Sequence, residues 1–152
     1  MLNAVKTIAA ISTASGAGGI AVIRLSGPLA FKIAKKITGS NLRPRVAEFH
    51  NFKDLNGILV DQGLILSFPG PKSFTGEDIV EFQCHGGNVV AQSVLNLCLL
   101  MDAVLAEPGE FTKRAFLNNK IDLAQAESIA DLINASTEEA AQSAINSLSG
   151  KF

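Results

Sequence analysis

The chain has 152 residues, of which 47% are apolar, 6% aromatic and 18% charged, and its 13 basic and 14 acidic side chains leave a formal net charge of −1. The apolar content excludes disorder as the main state, and the near-neutral charge argues against a nucleic-acid binder that works by bulk electrostatics. The length predicts one domain, or one domain with part of a second.

Cysteine content and hydropathy indicate the compartment. Cys84 and Cys98 cannot build a disulfide framework and lack zinc spacing, so they fit a reducing cytosol. No stretch approaches the ~18 continuous apolar residues of a membrane span. The apolar run Ile8–Ile11 is too short for the core of a signal peptide. These features predict a cytoplasmic protein with no membrane partner.

The first forty residues predict two strands followed by a helix. Strands are predicted over Thr7–Ser12 and Ile20–Leu25, joined by a glycine-rich loop at residues 16–19. A helix is predicted to start at Gly27-Pro28, because proline suits the first helical position, and to stop at Gly39.

A hairpin signal follows. Asn56-Gly57 separates two strand-like segments, Val46–Phe52 and Gly57–Phe68, and this dipeptide strongly favours a tight turn. Three further elements come next: a strand over Ile79–Cys84, a helix over Val89–Leu100 and a short strand over Ala103–Leu105.

From about residue 110 the composition is helical, rich in Ala, Leu and Glu and without proline. A helix is predicted over Phe111–Leu117, and Asp122 with Gln125 and Ser136 with Glu139 have capping-box spacing for two more. Two helices with apolar faces cannot close a bundle. The sequence therefore predicts an α+β fold, a mixed sheet with flanking helices, followed by a truncated all-helical segment whose faces a missing part or another chain covers.

Two motifs suggest nucleotide binding, but their contexts favour other interpretations. The Gly16–Gly19 loop lies between two strands, without the helix start of a phosphate loop, so it is interpreted as a strand connection. Asn119-Lys120-Ile121-Asp122 matches the N-K-x-D guanine motif, yet it follows a predicted helix, and the chain has no G-x-x-x-x-G-K-[ST]. Asp122 is interpreted as a helix cap.

Metal and nucleophile candidates are weak. His85 adjoins Cys84, and His50 is distant, so no second pair completes a metal site. Cys84 is interpreted as a buried thiol and His85 as a loop or surface imidazole. No catalytic residue and no metal ligand is predicted.

Arg24 and Glu81 are the most informative charges, because each lies inside an otherwise apolar strand. Two interpretations are favoured equally. Either the two residues have a structural role, on an exposed sheet face or in a mutual salt bridge, or they form a ligand site. A carboxylate on a rigid strand suits a heterocycle with two adjacent N–H donors.

Two basic clusters complete the candidates. The cluster Lys113, Arg114 and Lys120 suits a ligand carboxylate, although such clusters are usually solvated. A second patch has no interleaved aromatic residues and is interpreted as a solvated helix face. Its members are Lys32, Lys35, Lys36, Arg43 and Arg45.

Three ordered sequence motifs together carry a family resemblance. They are Gly16-x-Gly18-Gly19-Ile20-Ala21-Val22-Ile23-Arg24-Leu25-Ser26-Gly27, Ser73-Phe74-Thr75-Gly76-Glu77-Asp78 running on to Glu81-x-Gln83-Cys84-His85-Gly86-Gly87, and Pro108-Gly109-Glu110-Phe111-Thr112-Lys113-Arg114-Ala115-Phe116-Leu117-Asn118. Across essentially its whole length the chain resembles the N-terminal part of the MnmE (TrmE) family of tRNA modification GTPases. It departs from the family pattern at Ala14-Ser15 and Ala17, where the family often has Pro and Arg.

The resemblance implies a domain organisation. Residues 1–118 would be a folate-binding and dimerisation domain, similar to the tetrahydrofolate domain of aminomethyltransferases, and residues 119–152 would begin a central helical domain. The full-length family member is an enzyme that hydrolyses GTP. Its GTPase domain, with the GTP, magnesium and potassium sites, would lie outside this chain.

The resemblance also implies a cofactor and partners. The family binds 5-formyl- or 5,10-methylene-tetrahydrofolate, presumed donor of a one-carbon unit to C5 of the tRNA wobble uridine. It acts as a homodimer with the FAD-dependent partner MnmG (GidA), and tRNA binds through the full complex. Motif matching places the folate contacts on Arg24, Glu81 and Lys120. The alternatives are a free-standing folate-dependent one-carbon transferase and a plain interaction domain in which Arg24 and Glu81 pair with each other.

Overall fold

The computed structural model describes residues 5–16 and 18–150, and it contains a sheet with flanking helices. Ala17, one of the departures from the family pattern, lies outside the described residues. In chain order the elements are β1 (Ile8–Ile11), β2 (Ile20–Ser26), α1 (Ala30–Thr38), β3 (Glu48–Lys53), β4 (Leu59–Phe68), β5 (Ile79–His85), α2 (Asn88–Leu100), β6 (Val104–Leu105), α3 (Glu110–Leu117), α4 (Leu123–Asn134) and α5 (Glu138–Leu148).

The strands form one sheet in the order β3-β4-β5-β2-β1-β6. β1 and β6 run parallel, and the other neighbouring strands are antiparallel. β2 and β5 lie at its centre although fifty residues separate them in the chain. The α+β class with a mixed sheet is therefore confirmed.

The core lies between one face of the sheet and the helices α1 and α2, which contact several strands. Alternation along β2 and β5 directs Ile23 and Phe82 into this core, where both are fully buried. Phe52 of β3 meets Phe82 edge to face, with ring centroids 5.3 Å apart. This packing fixes which side chains of the central strands point to the other face.

Two predicted helix starts are corrected. α1 begins at Ala30 rather than at Pro28, because Gly27 and Pro28 form the turn that leads into it. α5 is capped by Thr137, whose Oγ1 accepts the amide of Ala140 at 3.1 Å, so the Ser136–Glu139 box is wrong by one residue. Two adjacent hydroxyl residues precede this helix, and spacing alone does not choose between them.

The Asp122 box is complete. The Asp122 carboxylate accepts the amide of Gln125 at 2.7 Å, and the Gln125 side chain accepts the amide of Asp122 at 3.0 Å. Two backbone donors at the start of α4, the amides of Asp122 and Gln125, are thereby satisfied. This confirms Asp122 as a helix cap.

The chain divides into two compact units. The first comprises Met1–Ser73 with Glu77–Pro108, and the second Phe74–Gly76 with Gly109–Phe152. The family domain boundary expected after residue 118 stays a prediction. Within the second unit Ala115 and Ala144 are buried, whereas Ile133 of α4 is 76% exposed.

No helix within residues 5–16 and 18–150 has both the length and the apolar character that crossing a membrane requires.

Candidate functional site at the centre of the sheet

Arg24 and Glu81 lie directly opposite each other on the neighbouring strands β2 and β5. The Nε and Nη2 atoms of Arg24 approach Oε2 of Glu81 at 2.9 and 2.8 Å. Their side chains are 30% and 19% exposed, so the pair is partly buried and still accessible. The structure therefore brings two of the predicted site residues together as a charge-assisted pair.

The local sequence explains this position. Ile23 and Leu25 on β2 and Val80 and Phe82 on β5 are fully buried on the helix-covered face. Since side chains alternate along a strand, the intervening charges point to the opposite face. Hydrogen-bonded neighbours on both sides hold the two strands, so the pair stands on a rigid base.

The contacts of Arg24 with Glu81 converge on one carboxylate oxygen, Oε2. Opposite charges directly across two strands contribute about 0.2–1 kcal/mol to sheet stability. The mutual salt bridge, one of the alternatives from the sequence, is observed, while the ligand role of both residues stays a prediction.

Lys120, the third predicted contact, belongs to the second compact unit. Its amide donates to the carbonyl of Ala115 at 2.8 Å, and its side-chain stem passes Gly76 so closely that a Cβ added there would lie 3.4 Å from Cγ and Cδ. Gly76 has φ +81°, which also favours glycine. Lys120 lines an open cleft of about 610 Å³ with residues that include Asn119, Asp122 and Gln125.

The other members of the predicted basic cluster differ in their contacts. Arg114 pairs with Glu110 one helical turn earlier, with 3.3 Å between Nη2 and Oε2. Lys113 is exposed on the same helix. Because Arg114 already pairs with Glu110, Lys113 and Lys120 are the more accessible cations of this cluster for a ligand carboxylate.

Asp61 is a charged contact that the sequence analysis missed. Its carboxylate accepts the backbone amide of His85 at 2.8 Å and contacts Nδ1 of the same residue at 2.8 Å. Burial opposes ionisation, but the amide and ring of His85 and the amide of Gln62 together lower the pKa of Asp61 below its usual value. In the sequence, Asp61 could have been recognised as a candidate because it is a lone carboxylate inside the predicted strand that became β4.

The thiols are buried and poorly reactive. Burial raises the pKa of Cys84 to about 11, with a further contribution from the Asp61 charge, and raises the pKa of Cys98 to about 12. The expected exposed imidazole of His85 and buried thiol of Cys84 are confirmed. Among the residues that the structure describes, no three His, Cys, Asp or Glu side chains are grouped as a metal site.

The glycine loop and the N-K-x-D string have the structural roles that the sequence favoured. Residues 12–19 connect β1 to β2, and the carbonyl of Gly19 accepts the amide of Gly86 at 3.0 Å. Asn119 follows α3 rather than a strand, with φ +58°. The first is thus a connection between two strands and the second follows the end of a helix, as the sequence predicted.

Comparison with known proteins places this architecture in a family. Residues 7–120, more than half of the chain, match the family model described as GTP-binding protein TrmE N-terminus. The chain is 55% identical over 152 residues to "tRNA modification GTPase MnmE" of Pseudomonas putida and of Pseudomonas entomophila, covering 99% of the chain and 33% of each relative. It is 56% identical over 147 residues to the protein of that name in Pseudomonas syringae pv. syringae, covering 97% of the chain and 32% of the relative.

The chain thus spans about a third of the length of the curated relatives it matches. The family resemblance seen in the three sequence strings is confirmed. This chain belongs to the TrmE N-terminus family and corresponds to the N-terminal region of MnmE tRNA modification GTPases.

Proposed function

We propose that this chain is the folate-binding and dimerisation module of a tRNA modification GTPase. Family membership and the names of relatives more than half identical to it support the assignment to tRNA modification. The 152 residues contain no G-x-x-x-x-G-K-[ST] phosphate loop. We therefore assign GTP hydrolysis, with its magnesium and potassium ions, to the part of the longer relatives that this chain does not cover.

The observation that carries the folate proposal is the accessible Arg24–Glu81 pair on adjacent strands. In the proposal, the Glu81 carboxylate accepts from the 2-amino group and the neighbouring ring N–H of a reduced pterin. Arg24, already directed at Oε2, keeps the carboxylate oriented and faces the pterin carbonyl oxygen. Partial burial strengthens such charge-assisted bonds relative to those of a fully solvated pair.

Lys120 supplies the third contact in this proposal. Its ammonium group complements a carboxylate of the glutamate tail, and its stem is held beside Gly76. The open cleft around it has room for a flexible, charged chain end. An ammonium group suits that end of the ligand, because it is a point charge that tolerates several carboxylate orientations.

The bound ligand would be 5-formyl- or 5,10-methylene-tetrahydrofolate, the donor of a one-carbon unit to C5 of the tRNA wobble uridine. The reaction would require the FAD-dependent partner MnmG, with tRNA held by the full complex. The residues of this chain bind and orient the donor, and the proposal gives none of them a catalytic role. Buried thiols with a raised pKa do not favour the alternative of a free-standing one-carbon transferase.

Dimerisation is proposed through the sheet face that carries the ion pair. The cross-strand register places Phe49, Leu64, Gln83 and Val22 in one row across four strands on that face. Phe49 is 64% exposed and Leu64 38% exposed. Neighbouring exposed apolar side chains on the open face of a sheet are typical of an interface between copies.

Calorimetry with 5-formyltetrahydrofolate tests the folate proposal. Glu81→Gln removes the charge-assisted contacts and is expected to weaken binding by about 1.5–3 kcal/mol, roughly 10- to 150-fold. Glu48→Gln is the matched control, because Glu48 is also an ion-paired strand carboxylate but lies on the edge strand β3. Its folate affinity is expected to equal that of the wild type.

A folded wild-type protein that gives no heat with this folate would reject the proposal. It would favour the plain interaction domain, for which the observed Arg24–Glu81 bond is the supporting observation. In that case Glu81→Gln would lower the free energy of unfolding and affect nothing else. Equal losses of affinity in Glu81→Gln and Glu48→Gln would also count against a specific pterin contact.

A further inference from the structure

Exposed cations are concentrated on the outer face of α1 and in two of the loops that follow it. Ile33 and Ile37 are buried against the sheet, and the three lysines of the helix point away from it and are exposed. Two exposed cations of following loops join them, and we name the set the α1 basic surface. Its members are Lys32, Lys35, Lys36, Arg45 and Lys72.

These charges are not neutralised locally. Within residues 5–16 and 18–150, no ion pair to the four lysines of the surface is found. The guanidinium of Arg45 donates to the backbone carbonyl of Lys72, a neutral acceptor, so its charge is also retained. Arg43 differs, since it pairs with Glu48 at 3.5 Å, and it is left out of the set.

An apolar groove of about 140 Å³ adjoins these cations. Phe31, Leu42, Pro44 and Pro69 supply its apolar walls, and Ser40 and Asn41 supply polar groups.

Two of the cations, Lys35 and Arg45, adjoin residues that line this groove. Lys35 follows Phe31 by one helical turn, so the two side chains are neighbours on α1. Pro44 directly precedes Arg45, whose amide donates to the carbonyl of Ser67 at 2.8 Å and so anchors the loop beside the groove. An aromatic residue, Phe31, therefore accompanies these basic residues, and it directly precedes Lys32 in the chain.

We infer that the α1 basic surface binds a single-stranded segment of RNA. The cations match backbone phosphates, and an unpaired base fits against Phe31 with its polar edge toward Ser40 and Asn41. An acidic protein surface would use the cations but leave the aromatic groove without a role, so the observations favour RNA. The inference rests on the proposed function in tRNA modification, which makes RNA the relevant polyanion.

Fluorescence anisotropy with a labelled single-stranded RNA oligonucleotide tests the inference on this chain. The triple variant Lys32→Gln, Lys35→Gln, Lys36→Gln is expected to bind about tenfold more weakly in moderate salt. The slope of log K against log salt should fall by about 2, because each lost phosphate contact contributes roughly 0.7.

The matched control changes two exposed lysines elsewhere, Lys6→Gln and Lys53→Gln, so its net charge equals that of the double variant Lys32→Gln, Lys35→Gln. It should keep the wild-type affinity. Phe31→Leu preserves an apolar wall and should weaken RNA binding while leaving the binding of inorganic polyphosphate unchanged.

Three results would overturn the inference: no RNA binding by the folded chain, equal losses in the control and in the double variant Lys32→Gln, Lys35→Gln, or equal affinity for RNA and polyphosphate with no effect of Phe31→Leu. Binding of an acidic peptide in place of RNA would assign the surface to a protein partner. Folate calorimetry on the same preparation separates the two proposals. A normal folate signal without RNA binding removes only the RNA surface, whereas RNA binding without a folate signal removes only the folate site.

Discussion

At the scale of single residues, Asp61 shows how one carboxylate joins two strands and a loop. It lies on β4 and accepts both the backbone amide and Nδ1 of His85, the last residue of β5. His85 is followed by Gly86-Gly87, where the chain turns into α2. The ionised carboxylate therefore fixes the end of β5 and leaves Nε2 of His85 directed away from this contact.

Replacing the Asp61 carboxylate should make the free energy of unfolding depend less on pH in the acidic range. The pKa of Asp61 is lowered in the folded state, so its contribution is fully present above the unfolded value of about 3.9 and is lost as the pH falls through the folded value. Asp61→Asn is expected to lower the free energy of unfolding by about 1 kcal/mol at pH 7. The difference from wild type should shrink below pH 4.

Urea unfolding at pH 7, 5 and 3 measures this effect. Asp131→Asn, at an exposed position on α4, serves as the control and should follow the wild-type curve. A constant difference between Asp61→Asn and wild type over this pH range would contradict the expected linkage.

At the scale of elements, backbone segments beside β5 approach so closely that glycine is required at Gly63 and Gly86. A Cβ added to Gly86 would lie 1.7 Å from the carbonyl oxygen of Gly18, and one added to Gly63 would lie 2.0 Å from that of Gln83. The first contact closes the β1–β2 loop onto the end of β5, and the second lets β4 pair tightly with β5. Close approach, rather than backbone flexibility, explains both glycines.

Gly86→Ala is therefore expected to destabilise the fold by about 1–3 kcal/mol, the usual range for overpacking against a backbone atom that must move. Gly19→Ala is the matched control from the other side of the same contact, because a Cβ there meets nothing within 4 Å. It should change the free energy of unfolding by less than about 0.5 kcal/mol. Thermal unfolding of both variants checks the difference, and similar melting temperatures would contradict it.

At the scale of the whole molecule, charge and apolar surface are distributed unevenly. The net charge is −1, yet the five cations of the α1 basic surface lie together on the first unit. The sheet face with Arg24 and Glu81 carries the exposed apolar row that contains Phe49 and Leu64. The helical unit exposes Leu123 and Ile133. Each region suits contact with a different class of partner.

The proposed dimer predicts that a charge placed on its interface changes the oligomeric state of the chain. Leu64→Asp places a charge in the apolar row and should convert the dimer to a monomer in sedimentation velocity, because burying an unpaired carboxylate is costly. Ile58→Asp is the control, since Ile58 is also exposed but lies in the β3–β4 turn. A monomeric wild type would contradict dimerisation, and a dimeric Leu64→Asp variant would contradict the choice of this face.

The sequence by itself determined which elements form and on which side of a strand a residue lies, but not the exact starts of α1 and α5. Periods of 2 and 3.6 residues, the Asn56-Gly57 turn and the Asp122 cap depend on contacts between residues close in the chain, so local pattern sufficed. The same alternation set Arg24 and Glu81 apart from the apolar core, and the ordered strings identified the family.

Only the tertiary structure decided which distant residues meet. The pairing of β2 with β5 in the register Arg24↔Glu81, the bond between Asp61 and His85, and the groove that joins Phe31 to Pro69 all link segments far apart in the chain. Many strand orders satisfy the same alternation. The choice among them depends on how the buried faces pack together across the whole sheet, and no local spacing contains that information.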